Sequence, residues 1–417
     1  MSVIPYVNVL IIATASWMLW RKERSELRRF FIPALLFRVA CGIALGLVYT
    51  YMYTVGDTFE YFDQGSRIAA MTEQGIGRYI QFLWSGTEFY SDGFEVAPRA
   101  LFLSKITSIV VLLSGYNYWI TTIYFSFAPF ITSWVLVKEL SVCRYRYAMP
   151  AVFALLFFPS AVFWSSGLIK ESVAMSCLFF LVAVTLRLWR GGRVTIWQWI
   201  LFLPAVWLLW GLKYYYLAVL LPVIFTELLM QRVIRPRLAM RPGIDVLVWL
   251  AVFMVPAVAA GFVHPNFYPE RFLEVVVSNY EVFERISDAG DMIVFPDLAP
   301  EVGSILKYAP RAVFSGLYRP FLWEASGTLQ IISSLENALL VVLTLGFAFQ
   351  KFKTRKVGPL FLPAIVYCVL LITFLALSAP NFGTLSRYRV GMLPFFVLLI
   401  SSDNYFLNLL KALLRRR

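Results

Sequence analysis

Four polar residues in the stretch Gly56 to Gln64 have types and spacing that suit an active site. Asp57, Glu60, Tyr61 and Gln64 recur at i, i+3, i+4 and i+7, so a helix would place them on one face. A carboxylate on that face can act as a general base toward a sugar or lipid hydroxyl. The Asp-x-x-Glu spacing is also that of a capping box at a helix start. Asp57 and Glu60 are therefore candidate catalytic residues, Tyr61 is a candidate substrate contact, and the capping alternative stays open.

A second candidate is the segment Phe158 to Ser172, in which an apolar run breaks at Pro159 and Gly167 and ends on Lys170 and Glu171. Irregular backbone at membrane depth is tolerated where it lines a polar cavity. Lys170 is suited to meet a phosphate in such a cavity, and Glu171 beside it is a second candidate substrate contact. In the alternative interpretation Lys170 extends to the lipid headgroups and Glu171 caps the next helix.

Basic residues of later segments provide further candidate phosphate ligands. Lys213, which precedes three tyrosines, is either an interfacial anchor or a phosphate ligand. Arg387 and Arg389 open the last apolar run, and arginine matches phosphate oxygens two at a time. Arg319 is a further candidate phosphate ligand, although an amphipathic helix at the membrane surface explains it equally well. Together with Lys170 these residues predict a cationic pocket beside the acidic stretch.

The composition predicts that membrane helices position these residues. The chain of 417 residues is 60% hydrophobic and 17% aromatic, with a mean hydropathy of +0.73, which indicates an all-α polytopic membrane protein. We expect one integral membrane domain over residues 1–417, without internal repeats. In it we place Arg38 and the Lys170–Glu171 pair as the charges inside spans. About eleven spans are predicted, near residues 2–20, 30–53, 117–137, 148–165, 172–189, 195–211, 214–230, 243–263, 328–350, 359–379 and 388–402.

The charge distribution predicts the orientation of these spans. The formal net charge is +13, and alternate loops hold 23 of the 37 Lys and Arg residues. By the positive-inside rule these loops are cytoplasmic, which places the N-terminus outside and the C-terminus inside. The excess of positive charge therefore follows membrane topology, and nucleic-acid binding is disfavoured.

Two long segments, near residues 54–116 and 264–327, fall on the extracytoplasmic side. Their pieces 99–113 and 311–323 suit amphipathic helices that lie at the membrane surface. The cytoplasmic loops are too short for a nucleotide-binding fold. His264 fits a loop residue better than a base. Four scattered cysteines and one histidine predict no disulfide framework and no metal site.

Three motifs give the chain a resemblance to a known family. They are Gly-Asp-Thr-x-x-Tyr from Gly56, Pro-Ser-x-x-Phe-Trp-Ser-Ser-Gly-x-x-Lys-Glu from Pro159, and Arg-Tyr-Arg from Arg387. The chain resembles integral-membrane glycosyltransferases of the C superfamily and the related bacterial exopolysaccharide and O-antigen polymerases. The resemblance implies a polyprenyl-phosphate sugar donor and an acidic residue of the first large extracytoplasmic loop as base or metal ligand. That role falls to Asp57, with Glu60 second. An extra span before this loop resembles the polymerase layout.

We therefore expect a glycosyltransferase of the cell inner membrane, active in cell-surface polysaccharide synthesis. It would transfer a sugar or oligosaccharide from an undecaprenyl-linked donor to a glycan acceptor on the periplasmic side. The predicted partners are this donor, the acceptor and membrane lipid. No cofactor is predicted, and a divalent cation shared by Asp57 and the donor phosphate stays open. The alternatives are a repeat-unit polymerase and a transporter of lipid-linked oligosaccharides, which would place more charges within its spans.

Overall fold

The computed structural model describes residues 3–52, 57–91, 94–238, 241–262, 268–354 and 360–414. Over these ranges the regular secondary structure is helical apart from one antiparallel pair of two-residue strands and an isolated bridge between Met292 and Asn381. The predicted all-α fold class is confirmed at this level.

The first half of the described chain contains ten helices and both strands. They are α1 (Ile4–Lys22), α2 (Arg28–Tyr51), α3 (Asp57–Ala69), α4 (Ile76–Ser85), β1 (Tyr90–Ser91), β2 (Phe94–Glu95), α5 (Pro98–Ser114), α6 (Tyr118–Cys143), α7 (Ala148–Val152), α8 (Pro159–Phe163), α9 (Lys170–Trp189) and α10 (Ile196–Leu229). Short 3₁₀ turns cover Ala70–Gln74 and Tyr145–Tyr147, and a π-helical turn covers Phe153–Phe157.

The second half of the described chain contains eight helices. They are α11 (Pro242–Ala260), α12 (Pro269–Ile286), α13 (Val302–Tyr318), α14 (Thr328–Thr354), α15 (Phe361–Ser378), α16 (Phe382–Tyr388), α17 (Leu393–Ser401) and α18 (Tyr405–Leu414). A π-helical turn (Met230–Ile234) extends α10, and a 3₁₀ turn (Arg389–Gly391) follows α16.

Seven stretches of the described residues are long and apolar enough to cross a membrane. They are α2, α6, α9, Ile196–Ile234, Gly243–Ala260, α14 and α15. The predicted count of about eleven spans is not confirmed. The predicted span 148–165 is divided into α7, a π-helical turn and α8, because Pro159 cannot continue the preceding helix. The predicted spans 195–211 and 214–230 are joined in α10.

Helix α10 changes direction at Lys213, whose φ of −143° and ψ of 60° are not helical. A straight helix of 34 residues would be about 51 Å long. Near one end of α10, Gln198 accepts a hydrogen bond from Arg187 Nη1 at 3.1 Å, and near the other end Glu227 accepts one from Trp189 Nε1 at 3.0 Å. Both ends therefore lie beside the last turn of α9, and α10 turns back at Lys213. The predicted separation of the two spans falls at this residue.

The described chain divides into two compact units. Unit one contains residues 1–137, 162–183 and 199–214, and unit two contains residues 138–161, 184–198 and 215–417. Each unit is assembled from three separate stretches of sequence. The single domain predicted for residues 1–417 stays a prediction.

In unit one, α5 turns its small polar residues inward. Ser104, Thr107 and Ser108 are fully buried, whereas Ile109 and Leu113 are 48% and 59% exposed. A Cβ at Gly65 of α3 would lie 2.7 Å from Thr107 Cγ2, so the two helices are in close contact. The predicted piece 99–113 is therefore a helix, but its apolar side faces outward. This orientation suits a helix with lipid against it.

In unit two, segments that were predicted to share a membrane side contact one another. Glu139 at the end of α6 forms ion pairs with Arg187, at 2.5 Å, and with Arg190. Lys351 of α14 lies 2.7 Å from Asp403, which follows α17. All of these positions belong to the predicted basic side. The contacts support the grouping of these loops, and the orientation of the termini stays a prediction.

Candidate functional site

The acidic stretch forms the start of α3, in which Asp57 is the first helical residue. Gly56 lies outside the described residues. Tyr61 is 4% exposed and Gln64 is fully buried, whereas Asp57 is half-buried and Glu60 is exposed. The predicted common face is therefore divided between buried and accessible residues. A carboxylate in the first turn of a helix is also favoured by the helix dipole, so the capping alternative stays open.

Glu60 and Gln64 belong to a short chain of hydrogen bonds. Gln64 Nε2 donates to Glu60 Oε1 at 2.8 Å, and Gln64 Oε1 accepts from the Ser104 hydroxyl at 2.7 Å. One oxygen of Glu60 is thus already bonded to α3 itself. Which of Asp57 and Glu60 acts as the base stays a prediction.

The first residue of α6, Tyr118, holds the start of α3 in place. Its hydroxyl lies 2.8 Å from the hydroxyl of Thr58, which is fully buried. Its ring is stacked on Phe59 with 4.4 Å between ring centroids. These contacts act on the residues directly after Asp57 and fix the orientation of the first turn of α3.

Lys170 and Glu171 open α9 and point to two different partners. Lys170 Nζ lies 5.2 Å from the ring centroid of Tyr61, within the range of a cation–π interaction. Glu171 Oε1 lies 2.7 Å from Lys213 Nζ, and these side chains are 0% and 5% exposed. Unit one therefore brings together Tyr61, Lys170, Glu171 and Lys213, which sequence analysis selected from three separate segments.

The backbone that precedes Lys170 is irregular and buried, as the Pro and Gly residues predicted. Ser165 and Ser166 are fully buried, and Gly167 has a φ of +75°. Arg38 of α2 donates from Nη1 to the Ser165 carbonyl at 3.2 Å and to its hydroxyl at 2.8 Å. Sequence analysis noted Arg38 only as a charge inside a span. Its contact assigns it to this segment.

In unit two, the Arg-Tyr-Arg motif is anchored through Arg389. This side chain is 1% exposed and donates to Asn337 Oδ1 at 2.7 Å and to the Leu317 carbonyl at 3.2 Å. Tyr216 donates its hydroxyl to the Tyr388 carbonyl at 2.5 Å. Arg387 is half-buried. In this structure Arg389 serves the fold, and Arg387 is the arginine of the motif with access to solvent.

Arg319 is paired with Glu324 directly after α13. Its Nε lies 2.9 Å and 3.0 Å from the two carboxylate oxygens, and its guanidinium lies 5.0 Å from the ring centroid of Phe382. Burial opposes ionisation of Glu324, but hydrogen bonds from Arg319 and from the Phe321 amide outweigh it and lower the pKa of Glu324. A phosphate role for Arg319 stays a prediction that requires this ion pair to open. The predicted helical piece 311–323 ends at Tyr318.

Sequence analysis missed Glu336 and Asn337 in α14. Glu336 is 7% exposed and accepts hydrogen bonds from the Ser160 amide, at 2.8 Å, and from the Ser160 hydroxyl. Glu336 is therefore a further charge inside a predicted span, in addition to Arg38 and the Lys170–Glu171 pair. An adjacent acid and amide within an apolar run are the signal that could have identified this site.

The nine predicted site residues fall into two groups. Unit one holds Asp57, Glu60, Tyr61, Lys170, Glu171 and Lys213; unit two holds Arg319, Arg387 and Arg389. The single pocket predicted for all of them stays a prediction. His264 lies outside the described residues, and within those that are described no group of three or more His, Cys, Asp or Glu is arranged to hold a metal ion.

Comparison with protein-family models, with curated proteins and with solved structures finds no match to this chain.

Proposed function

We propose that this chain is a membrane glycosyltransferase that moves a sugar or oligosaccharide from an undecaprenyl-linked donor to a glycan acceptor. The observation that carries the proposal is the 5.2 Å contact between Lys170 and Tyr61. It joins the start of α9 to α3. Asp57, the first residue of α3, lies four residues before Tyr61, which is about 6 Å of helix rise. A carboxylate and a cation so connected are the two groups that glycosyl transfer from a lipid phosphate needs.

The proposed reaction is a direct displacement. Asp57 accepts the proton of the acceptor hydroxyl while that oxygen bonds to the anomeric carbon of the donor sugar. The bond between this carbon and the phosphate oxygen breaks, and its electron pair remains on the departing undecaprenyl phosphate. Lys170 stabilises the added negative charge.

The charge rule supports a site on the periplasmic side of a bacterial inner membrane. With the basic loops in the cytoplasm, α3 and the start of α9 face outward. The prenyl chain of the donor would lie among the apolar helices and its phosphate at their outer ends. A repeat-unit polymerase uses the same arrangement with a lipid pyrophosphate as leaving group.

A transporter of lipid-linked oligosaccharides is the second candidate, because buried charges within candidate spans favour it. Glu171 and Lys213 are paired at 2.7 Å, and Glu336 is 7% exposed in α14. Such residues mark transport pathways as well as catalytic sites. A transporter, however, leaves its lipid chemically unchanged, so the identity of the product separates the two functions.

The test uses the full chain in lipid nanodiscs with synthetic undecaprenyl-phosphate hexoses and measures release of undecaprenyl phosphate. Asp57→Asn is expected to lower the release rate by about 10²- to 10⁴-fold, since it removes a general base. Asp63→Asn is the matched control, because Asp63 lies on the same helix, is exposed and pairs with Arg67 at 2.8 Å. If Asp57→Asn releases undecaprenyl phosphate at the wild-type rate, Asp57 is not the general base. Intact donor that crosses liposome membranes would favour the transporter.

A further inference from the structure

The connection between α9 and α10, in unit two, is surrounded by arginines. This arginine cluster consists of Arg187, Arg190, Arg193, Arg232 and Arg235. Arg232, in the π-helical turn that extends α10, reaches back to the connection, since its Nη2 donates a hydrogen bond to the Leu188 carbonyl. A Cβ at Gly191 would lie 3.6 Å and 3.7 Å from the two terminal nitrogens of Arg232. The guanidinium of Arg232 therefore lies against the backbone between Arg190 and Arg193.

Carboxylates neutralise only part of the arginine cluster. The ion pairs are those of Glu139 with Arg187 and Arg190, and those of Glu227 and Asp245 with Arg235. The five arginines and three carboxylates leave a net charge of +2. Within the described part of the chain, neither Arg193 nor Arg232 forms an ion pair with a carboxylate.

Arg193 and Arg232 are the members of the arginine cluster that can take an anion from outside the protein. Both residues are exposed. The side chain of Arg193 forms no hydrogen bond to any residue that the structure describes, and Arg232 uses one N–H group on the Leu188 carbonyl. A guanidinium has five N–H donors in a planar fork that matches two phosphate oxygens. These two arginines therefore retain donors for a phosphate, and a bound anion would also offset the repulsion within the cluster.

An exposed apolar surface adjoins the arginine cluster. Ile196 and Trp197, the first two residues of α10, are 67% and 70% exposed. Tryptophan is enriched at the depth of lipid headgroups. Asp245 in the first turn of α11 pairs with Arg235, so the cluster also lies at the end of the candidate span Gly243–Ala260, of which only 6% is buried. Cations beside an accessible apolar surface suit a ligand that joins a phosphate to acyl chains.

We propose that the arginine cluster is a binding site for the headgroup of an anionic phospholipid. Arg193 and Arg232 bind the phosphate oxygens, and the acyl chains lie against Ile196, Trp197 and the exposed side of α11. The charge rule assigns the cluster to the predicted cytoplasmic side, where basic groups at the ends of membrane helices bind anionic headgroups. The site lies within unit two and does not depend on the proposed glycosyl transfer.

The first experiment measures lipid binding to the full chain, purified in a neutral detergent, by native mass spectrometry. Phosphatidylglycerol is expected to bind about tenfold more tightly than phosphatidylcholine, whose headgroup has no net charge. Arg193→Gln and Arg232→Gln are each expected to weaken phosphatidylglycerol binding by about fivefold, since each removes a cation from the headgroup. Arg285→Gln is the matched control, because Arg285 is an exposed arginine of α12 on the predicted opposite side.

Three results of this experiment would overturn the proposal. They are equal binding of the two lipids, unchanged binding in Arg193→Gln, and equal weakening in Arg285→Gln and Arg193→Gln. Arg193→Gln decides the matter if Arg232 variants fail to fold, because the Arg193 side chain has no hydrogen bond within the described chain to lose.

The second experiment separates charge from fold at Arg232. Arg232→Lys keeps the positive charge but loses the planar fork, so its affinity for phosphatidylglycerol is expected to lie between those of wild type and Arg232→Gln. The unfolding midpoints of the two variants are expected to be equal. If Lys and Gln weaken binding equally and lower the midpoint equally, Arg232 serves only the end of α9 through the Leu188 carbonyl, and its assignment as a headgroup ligand is wrong.

The third experiment distinguishes a lipid from a free phosphate. Inorganic phosphate at about 10 mM is expected to leave phosphatidylglycerol bound, because it lacks the apolar part of the contact. Trp197→Ser is expected to weaken phosphatidylglycerol binding by about threefold through loss of that contact. Displacement of the lipid by inorganic phosphate, together with unchanged binding in Trp197→Ser, would assign the cluster to a soluble anion and overturn the lipid as its occupant.

Discussion

Lys213 and Glu171 are the residues whose interpretation the structure changes most. From the sequence, Lys213 is either an interfacial anchor or a phosphate ligand, and Glu171 is either a substrate contact or a helix cap. In the structure their side chains are 5% and 0% exposed and lie 2.7 Å apart. Lys213 also occupies the non-helical position at which α10 turns back. At the residue scale, the pair therefore ties the turn of α10 to the start of α9, next to Lys170.

This interpretation predicts the outcome of a charge exchange. Glu171→Lys and Lys213→Glu are each expected to destabilise the protein by about 3–5 kcal/mol, because each leaves two like charges buried together. The double exchange restores opposite charges and is expected to recover at least half of that loss. The measurement is the unfolding midpoint in detergent, followed by intrinsic fluorescence.

The exposed pair Asp63–Arg67, whose side chains are 52% and 46% exposed, is the control for this exchange. Substitution of Asp63 is expected to cost about 0–1 kcal/mol. If Lys213 were instead a phosphate ligand, the double exchange would be no more stable than either single variant. That result would return Lys213 to the list of candidate ligands.

At the scale of elements, the break before α9 is the feature that the sequence predicted best. Pro159 and Gly167 signalled it, since proline cannot continue a helix and glycine alone adopts a positive φ without strain. The sequence did not predict the partner of this break. A Cβ at Gly167 would lie 2.9 Å from Leu45 Cδ2 and 3.2 Å from the Gly42 carbonyl, so α2 packs directly against it.

Gly167→Ala is therefore expected to destabilise the protein by about 2 kcal/mol or more, through both φ and contact with α2. Gly77→Ala in α4 is the matched control, because nothing lies within 4 Å of the added Cβ. Gly77 is the second residue of α4 and has a helical backbone that suits alanine, so that substitution is expected to stabilise by about 0.4–1 kcal/mol. The measurement compares the unfolding midpoints of Gly167→Ala and Gly77→Ala. Equal midpoints would mean that the backbone at Gly167 tolerates a side chain and has no fixed geometry.

At the scale of the molecule, apolar runs predicted the helical class but not how the runs are joined. Hydropathy is a property of local composition, so it separated residues 195–211 from 214–230 at Lys213, where α10 turns, but it did not show that Glu171 pairs with Lys213 at this turn. Polar side chains inside apolar runs were also undervalued. Glu336 and Asn337 have no neighbouring motif, and their role depends on Ser160 and Arg389, which are more than 50 positions away in each case. Such long-range pairing has no local signal in a single sequence.

The turn of α10 makes a prediction about the topology of the whole chain. If α10 reverses at Lys213, Arg193 before it and Arg237 after it lie on the same side of the membrane, and the charge rule makes that side cytoplasmic. We expect cysteines at these positions, in a chain with Cys143→Ser, to react with an impermeant maleimide only after the inner membrane is permeabilised. Glu88→Cys, in the exposed connection after α4, is expected to react in cells whose outer membrane alone is opened. Reaction of Arg193→Cys and Arg237→Cys from opposite sides would mean that α10 crosses once. That result would contradict the predicted orientation of the spans that follow α10.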